Sequence, residues 1–178
     1  MSSRFTKLDP ANLPPEQKAV YDVIAAGKRK AVPYIYHALL GSPELAQLTQ
    51  QLGVYCRYGT EFTARQSELA VLVVAQHFQA AYEWSVHVEE ARKAGLPENV
   101  IAAVEKGEKP EFADPDDELI YRFSKTYFEQ NDVPDDIFAA AEARFGKKAV
   151  IELAGILGFY SMLAIVLRIY RVPPQDKA

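Results

Sequence analysis

Cysteine is almost missing: Cys56 is the only one in 178 residues. That excludes an intramolecular disulfide, a CxxC redox pair and any multi-thiolate metal site. No glycine-rich loop of the kind that cradles phosphates occurs, so no organic cofactor is expected. No His-Glu-x-x-His occurs either, and catalytic zinc usually takes histidine at two positions. Glu68, Glu83 and His87 would supply only one, and no metal is expected. Positive charge is in deficit, with 20 Lys and Arg against 24 Asp and Glu and a formal net charge of −4. A sequence-independent grip on nucleic acid needs the opposite balance. The opening Met-Ser-Ser-Arg-Phe-Thr-Lys has no apolar run that could act as a signal peptide, so a cytoplasmic location is expected. The one long uncharged run, Leu153 to Leu167, has 15 residues between Glu152 and Arg168. A membrane-spanning helix wants about 20, so no membrane is expected and the run is read as a helix buried on all sides by protein.

What is present is enough apolar material for a sizeable core: 49% hydrophobic and 11% aromatic residues against 25% charged. Alternating strand patterns and Asn-Gly hairpin turns are absent, while helical stripes recur. Pro14-Pro15 opens a helix carrying Val20, Val23 and Ile24 and closing near Gly27. Ser42-Pro43 opens one carrying Leu45, Leu48, Leu52 and Tyr55 and stopping by Gly59. Thr63 with Gln66 forms a capping-box signature before the apolar run Leu69 to Ala75. Helix continues, with a break near Gln79, through Tyr82 to Ala94, and a short one follows from Pro97 to Gly107. After the linker 107–114, Asp114-Pro115 and Val133-Pro134 start two more, the second ended by Gly146, and the last runs from about Lys147 to Tyr170. Gly155 and Gly158 each weaken that helix by roughly 1 kcal/mol relative to alanine, which predicts a neighbouring helix packed tightly there. The expected fold is all-α, a single domain over 1–178 with seven to eight helices. It comprises an N-terminal arm 1–33, a motif core at about 40–107 and C-terminal helices over 114–172.

Three ionisable residues in the segment 60–95 could carry chemistry. Glu83 and His87 are four apart and share one helix face. A carboxylate beside an imidazole is the pairing that general acid–base chemistry uses, though surface ion pairs have the same spacing. Glu68 stands in the first turn of its helix on the side of Val71, Leu72 and Ala75. It reads either as a solvated helix-start glutamate or as a buried carboxylate in need of a partner.

The run Glu68, Ala80, Glu83, His87, with steps of twelve, three and four, resembles the carboxymuconolactone decarboxylase family, which includes the alkylhydroperoxidase D-type proteins. In the peroxidase branch two thiols stand where this chain has Ala80 and Glu83, and the histidine falls on His87. The decarboxylase branch has glutamate at the second thiol position, as Glu83-Trp84-Ser85-Val86-His87 does here. The segment VEEARKAGLPENVIAAV also resembles the family's next helix, turn and helix, so the specific likeness covers 60–105. The resemblance implies an all-helical fold of the alkylhydroperoxidase D-like type. It also implies a homo-oligomer (dimer, trimer or hexamer) and a lyase of aromatic catabolism acting on a small-molecule substrate. On this reading His87 is the acid–base residue, Glu83 its orienting partner or a second proton carrier, and Glu68 a buried carboxylate tuning or relaying to His87.

A thiol peroxidase cycle needs two cysteines, and Cys56 lies outside the motif among Val54, Tyr55 and Tyr58. Tyr82 and Trp84 flank Glu83 and are candidates for stacking on a substrate, and His77 for lining the same pocket from the preceding helix. His37 reads as packing or pocket wall, and Arg57, Arg65 and Arg168 as substrate-carboxylate clamps or salt-bridged residues. The leading expectation is cofactor-free decarboxylation or related proton transfer on a carboxylated lactone or organic acid. The alternative is a non-catalytic oligomeric module that binds a small apolar ligand.

Overall fold

The structure, a computed structural model, describes residues 3–27 and 31–174; parts of the expected arm (1–2, 28–30) lie outside it. Among the described residues there are eight α-helices and no strand. They are α1 (Pro15–Ala25), α2 (Tyr34–Leu39), α3 (Pro43–Tyr58), α4 (Ala64–His77), α5 (Ala81–Lys93), α6 (Glu98–Lys106), α7 (Pro115–Gln130) and α8 (Asp135–Tyr170). A 3₁₀ turn over Pro10–Asn12 precedes them, capped by Asp9. The short α2 had no clear periodic signature in the sequence.

Local chemistry accounts for most of the boundaries. Thr63 Oγ1 accepts from the Gln66 backbone N–H at 3.3 Å, and Gln66 Oε1 accepts from the Thr63 N–H at 3.0 Å, closing the expected capping box. Asp114 caps α7 by accepting from the Asp116 N–H. Between α4 and α5 the chain turns at Gln79, with φ of 51°, and the Ala80 N–H donates to the Ala75 carbonyl. This left-handed step at a non-glycine residue lets α5 fold back along α4. At Gly146, with φ of 84° and ψ of 162°, α8 breaks into segments 135–145 and 147–170.

α4 is the central helix, packed against α5, α6, α7 and α8. Its segment Leu69–Ala75 is at most 1% exposed, which is why the sequence there shows a continuous apolar run instead of a stripe. Ala70, Val71 and Val74 join the larger core with α2 and α8, while Leu69, Leu72 and Val73 join a second core with α5 and α6.

Two expectations about α8 are corrected. The run Leu153 to Leu167 is not buried on all sides: α8 is long and apolar enough to cross a membrane by length and composition, yet 56% of its most apolar window is buried in protein and the rest faces outward. Nor do Gly155 and Gly158 receive a neighbouring helix, since a Cβ at either would meet nothing within 4 Å. The close approach of α3 to α8 occurs instead at Gly53, where a Cβ would come within 2.8 Å of Phe159 Cζ.

The N-terminal arm returns across the molecule. The Arg4 N–H donates to the Tyr170 carbonyl at 3.0 Å, and the Leu8 N–H donates to His37 Nδ1 at 3.0 Å. Phe5 stacks on Tyr34, ring centroids 5.2 Å apart, and Tyr34 stacks on Tyr82 at 5.7 Å. The arm and α2 thereby form one wall of a cleft whose floor is α5 and α8.

Candidate active site

Glu83 and His87 lie one helical turn apart on α5, and both face inward because α5 buries that side against α4 and α8. Glu68 comes from the first half of α4, on the face turned towards α5. The turn at Gln79 makes the two helices neighbours and so brings together residues 19 apart in sequence. His87 Nδ1 lies 2.6 Å from Glu68 Oε2, and His87 Nε2 lies 3.6 Å from Glu83 Oε1. All three residues are buried, at 5%, 3% and 5% exposure for Glu68, Glu83 and His87. A carboxylate accepts, so the Glu68 contact fits a proton on Nδ1 and leaves Nε2, on the side of Glu83, as the ring's other proton-exchanging atom.

Two further residues complete the inner wall. Arg57, from the last turn of α3, places Nη2 2.7 Å from Glu90 Oε2 and 3.7 Å from Glu68 Oε1. Burial opposes its charge, but Glu68, Tyr160, Tyr58 and Glu90 outweigh that and raise its pKa. Glu90 is held below the usual carboxylate range by its hydrogen bond from Lys93, with Arg57 and His87 adding to the effect despite its partial burial. Tyr160, from α8, presents its ring at 87° to the His87 ring with centroids 5.0 Å apart. Sequence reasoning did not single out Tyr160; its only trace is a hydroxyl within an otherwise apolar run.

These groups open into a cleft of about 1420 Å³. Glu83, His87, Arg57 and Tyr160 line it, with Leu163 and Leu167 from α8. Tyr82, Trp84, Tyr34 and His37 also line it, with Lys7 from the arm and Glu89, Glu90 and Glu105. The Tyr82 hydroxyl is fixed by the Tyr34 N–H, which donates to it at 2.9 Å. The cleft is therefore lined by aromatic rings and by charges of both signs, with Glu83 and His87 in its wall and Glu68 against His87 behind it.

The remaining candidates lie elsewhere. His77 does not line the cleft: at the end of α4 it is exposed and stacks on Phe128 of α7 at 4.6 Å, with its pKa lowered by burial first and by Lys125 second. Its position ten residues before His87 rotates it to another side, and the turn at Gln79 does not bring it back. Arg65 pairs with Asp114 and Asp117 at the start of α7. Arg168 donates to the Gln79 carbonyl at 3.3 Å. Cys56 is 2% exposed, and burial pushes its thiol up to about 11. It is outside the residues lining the cleft. No group of three His, Cys, Asp or Glu suited to a metal ion occurs among the described residues.

Residues 43–109, from the start of α3 to just past α6, match the model of the carboxymuconolactone decarboxylase family. No curated protein matches the chain.

Proposed function

From the match of residues 43–109 to the carboxymuconolactone decarboxylase family, we propose that this chain is a lyase-type enzyme performing cofactor-free acid–base chemistry. Its substrate is a small carboxylated lactone or related organic acid, and its reaction is decarboxylation or a closely related proton transfer. The observation that carries this reading is that Glu83 and His87 line one cleft while buried Glu68 holds His87 from behind, with His87 Nδ1 2.6 Å from Glu68 Oε2. A module that only binds an apolar ligand has no use for two carboxylates buried around an imidazole, an arrangement costly to desolvate.

The chemistry follows from these parts. Loss of carbon dioxide beside a conjugated carbonyl breaks the carbon–carboxylate bond and sends the electron pair into the acceptor, giving a dienolate. That dienolate needs a proton at carbon and stabilisation at oxygen. Glu68 holds the His87 ring through Nδ1, so Nε2 is the atom that donates the proton and is recharged from water. Glu83, 3.6 Å from Nε2, stabilises the protonated ring before transfer and serves as a second proton carrier. Arg57 is the cation nearest this set and faces the developing oxyanion or the substrate carboxylate. Tyr82, Trp84 and Tyr34 pack against the unsaturated ring.

A dithiol peroxidase role is unsupported by the residues present: Ala80 and Glu83 occupy the thiol positions, and Cys56 is buried with its thiol pushed up to about 11.

The test is carbon dioxide release from a panel of carboxylated muconolactones and β-keto or vinylogous acids, comparing the native chain with His87→Gln. Turnover that falls by about 10²-fold or more in the variant is expected for loss of the proton donor. Equal turnover in both would overturn the role of His87. Trp84 is the only tryptophan and lines the cleft, so its fluorescence reports occupancy directly. Saturable quenching without any turnover across the panel would favour the ligand-binding module instead.

A further inference from the structure

Residues 3–9 belong to no helix, yet the segment is tied down on both sides of Lys7. Before it, the Arg4 N–H donates to the Tyr170 carbonyl and the Ser3 hydroxyl to the Arg171 carbonyl, each at 3.0 Å, at the end of α8. After it, the Leu8 N–H donates to His37 Nδ1 of α2 at 3.0 Å. Phe5, Tyr34 and Tyr82 stack in succession, with centroids 5.2 and 5.7 Å apart and ring planes 28° and 15° from parallel. Tyr82 immediately precedes Glu83 on α5. An irregular segment keeps a fixed place only where it is tied down, and this one is joined through its rings to the helix that carries Glu83 and His87.

Lys7 lines the cleft, and its charge is balanced differently from the other cations there. Arg57 lies against Glu90 and Glu68, Arg92 against Glu89 and Glu98, and Lys93 against Glu90. Lys7 has no carboxylate partner among the described residues; its Nζ lies 5.5 Å from the centroid of the Tyr34 ring. An exposed cation over a ring is held less firmly than one hydrogen-bonded to a carboxylate. The stem of lysine is flexible, so the ammonium reaches an anion in the cleft by rotating its own bonds while the backbone stays tied.

We propose that Lys7 is a specificity-determining residue, receiving a carboxylate of the bound acid other than the one Arg57 faces. Without it, a second carboxylate would enter a cleft where Glu89, Glu90 and Glu105 stand in the wall and the other cations are already paired. With it, the cleft prefers an unsaturated acid with two carboxylates to one of the same length with a single carboxylate, and the Tyr34–Tyr82 stack supplies a flat surface for the carbon frame. The proposal rests on the reading of the cleft as a site for a small organic acid. It is tested by binding alone, so an absence of turnover counts against the lyase reading and not against Lys7.

The experiment titrates the full chain with trans,trans-muconate and with sorbate, following Trp84 fluorescence. The two probes share a six-carbon diene and differ only in that sorbate has a methyl group in place of the second carboxylate. The native chain is expected to bind muconate about 5-fold more tightly than sorbate, the value of one well-placed solvent-facing ion pair. Lys7→Met keeps the apolar stem, removes the charge and abolishes the preference by weakening muconate alone. Lys7→Arg keeps the preference. Lys18→Met, at an exposed lysine of α1 outside the cleft-lining residues, leaves both affinities unchanged. A native chain that does not distinguish the probes, or that gives no saturable quenching with muconate, overturns the proposal. So does a preference that survives Lys7→Met, which assigns the second carboxylate to another cation, or one lost equally in Lys7→Arg.

Discussion

Removing Glu68 is the perturbation whose size the structure fixes most closely. Its Oε2 takes the His87 Nδ1 contact at 2.6 Å, with both residues 5% exposed, and its Oε1 lies 3.7 Å from Nη2 of the less deeply buried Arg57. Glu68→Leu leaves the imidazole N–H without its acceptor in a site water scarcely reaches, a loss of about 3–5 kcal/mol. Glu68→Gln keeps an amide oxygen at the same reach and loses only the charge assistance, about 1 kcal/mol. Arg57 is less affected in either variant, since Glu90 remains 2.7 Å away. The combined change Glu68→Leu with His87→Leu removes donor and acceptor together and costs far less than the two single changes added, with a coupling of about 2–4 kcal/mol. Urea unfolding at one fixed protein concentration measures this. With a slope of about 2 kcal/mol per molar, Glu68→Leu lowers the midpoint by about 1.5–2.5 M. A coupling below about 0.5 kcal/mol would mean that the 2.6 Å contact carries no energy and that His87 is held by its packing against Tyr160 instead.

Three other outcomes follow from particular contacts. Cys56, buried with its thiol pushed up to about 11, reacts with a disulfide reagent at pH 8 at least 10²-fold more slowly in the folded chain than in urea; equal rates would place it at the surface. His37 has its pKa lowered below 6.5, by burial first and Lys7 second. The unfolded chain therefore takes up that proton first, so stability falls as pH drops through 6.5 and levels off below the folded-state value. His37→Gln keeps an acceptor for the Leu8 N–H and removes this part of the slope, leaving the part due to His77, and an unchanged slope in thermal melts between pH 7 and 5 would refute the assignment. Gly53→Ala forces a methyl to within 2.8 Å of Phe159 Cζ and lowers stability by about 1–2 kcal/mol despite the better helix propensity, whereas a higher melting temperature would show that the ring yields freely.

What could be read before folding was whatever depends on residues a few positions apart. The Thr63–Gln66 box, the break near Gln79 and the pairing of Glu83 with His87 all involve atoms that one helical turn or one chain reversal brings together. The family resemblance joined Glu68 to that pair. No local rule could have done so, because their contact crosses two helices. α2 was missed because six residues, Tyr34–Leu39, are too few to display a period. His77 was misplaced because the direction of a side chain at the end of α4 depends on α7, whose Phe128 it stacks against.

The glycines show the division most clearly. Sequence identified a cost at Gly155 and Gly158 without saying which side of α8 they were on, and the empty space above them shows that no helix of the described chain packs there. By itself the sequence determined the helices other than α2, several of their caps and the chemical types available for the site, because backbone propensity, capping and apolar period act over fewer than about ten residues. Only the tertiary structure decided that Arg57 and Tyr160 share a cleft with His87, that Arg65 and Arg168 do not, and that α8 has an apolar face left over. Those outcomes depend on how α3, α4, α5 and α8 pack against one another, and packing is settled by the summed fit of distant surfaces that no single stretch of chain contains.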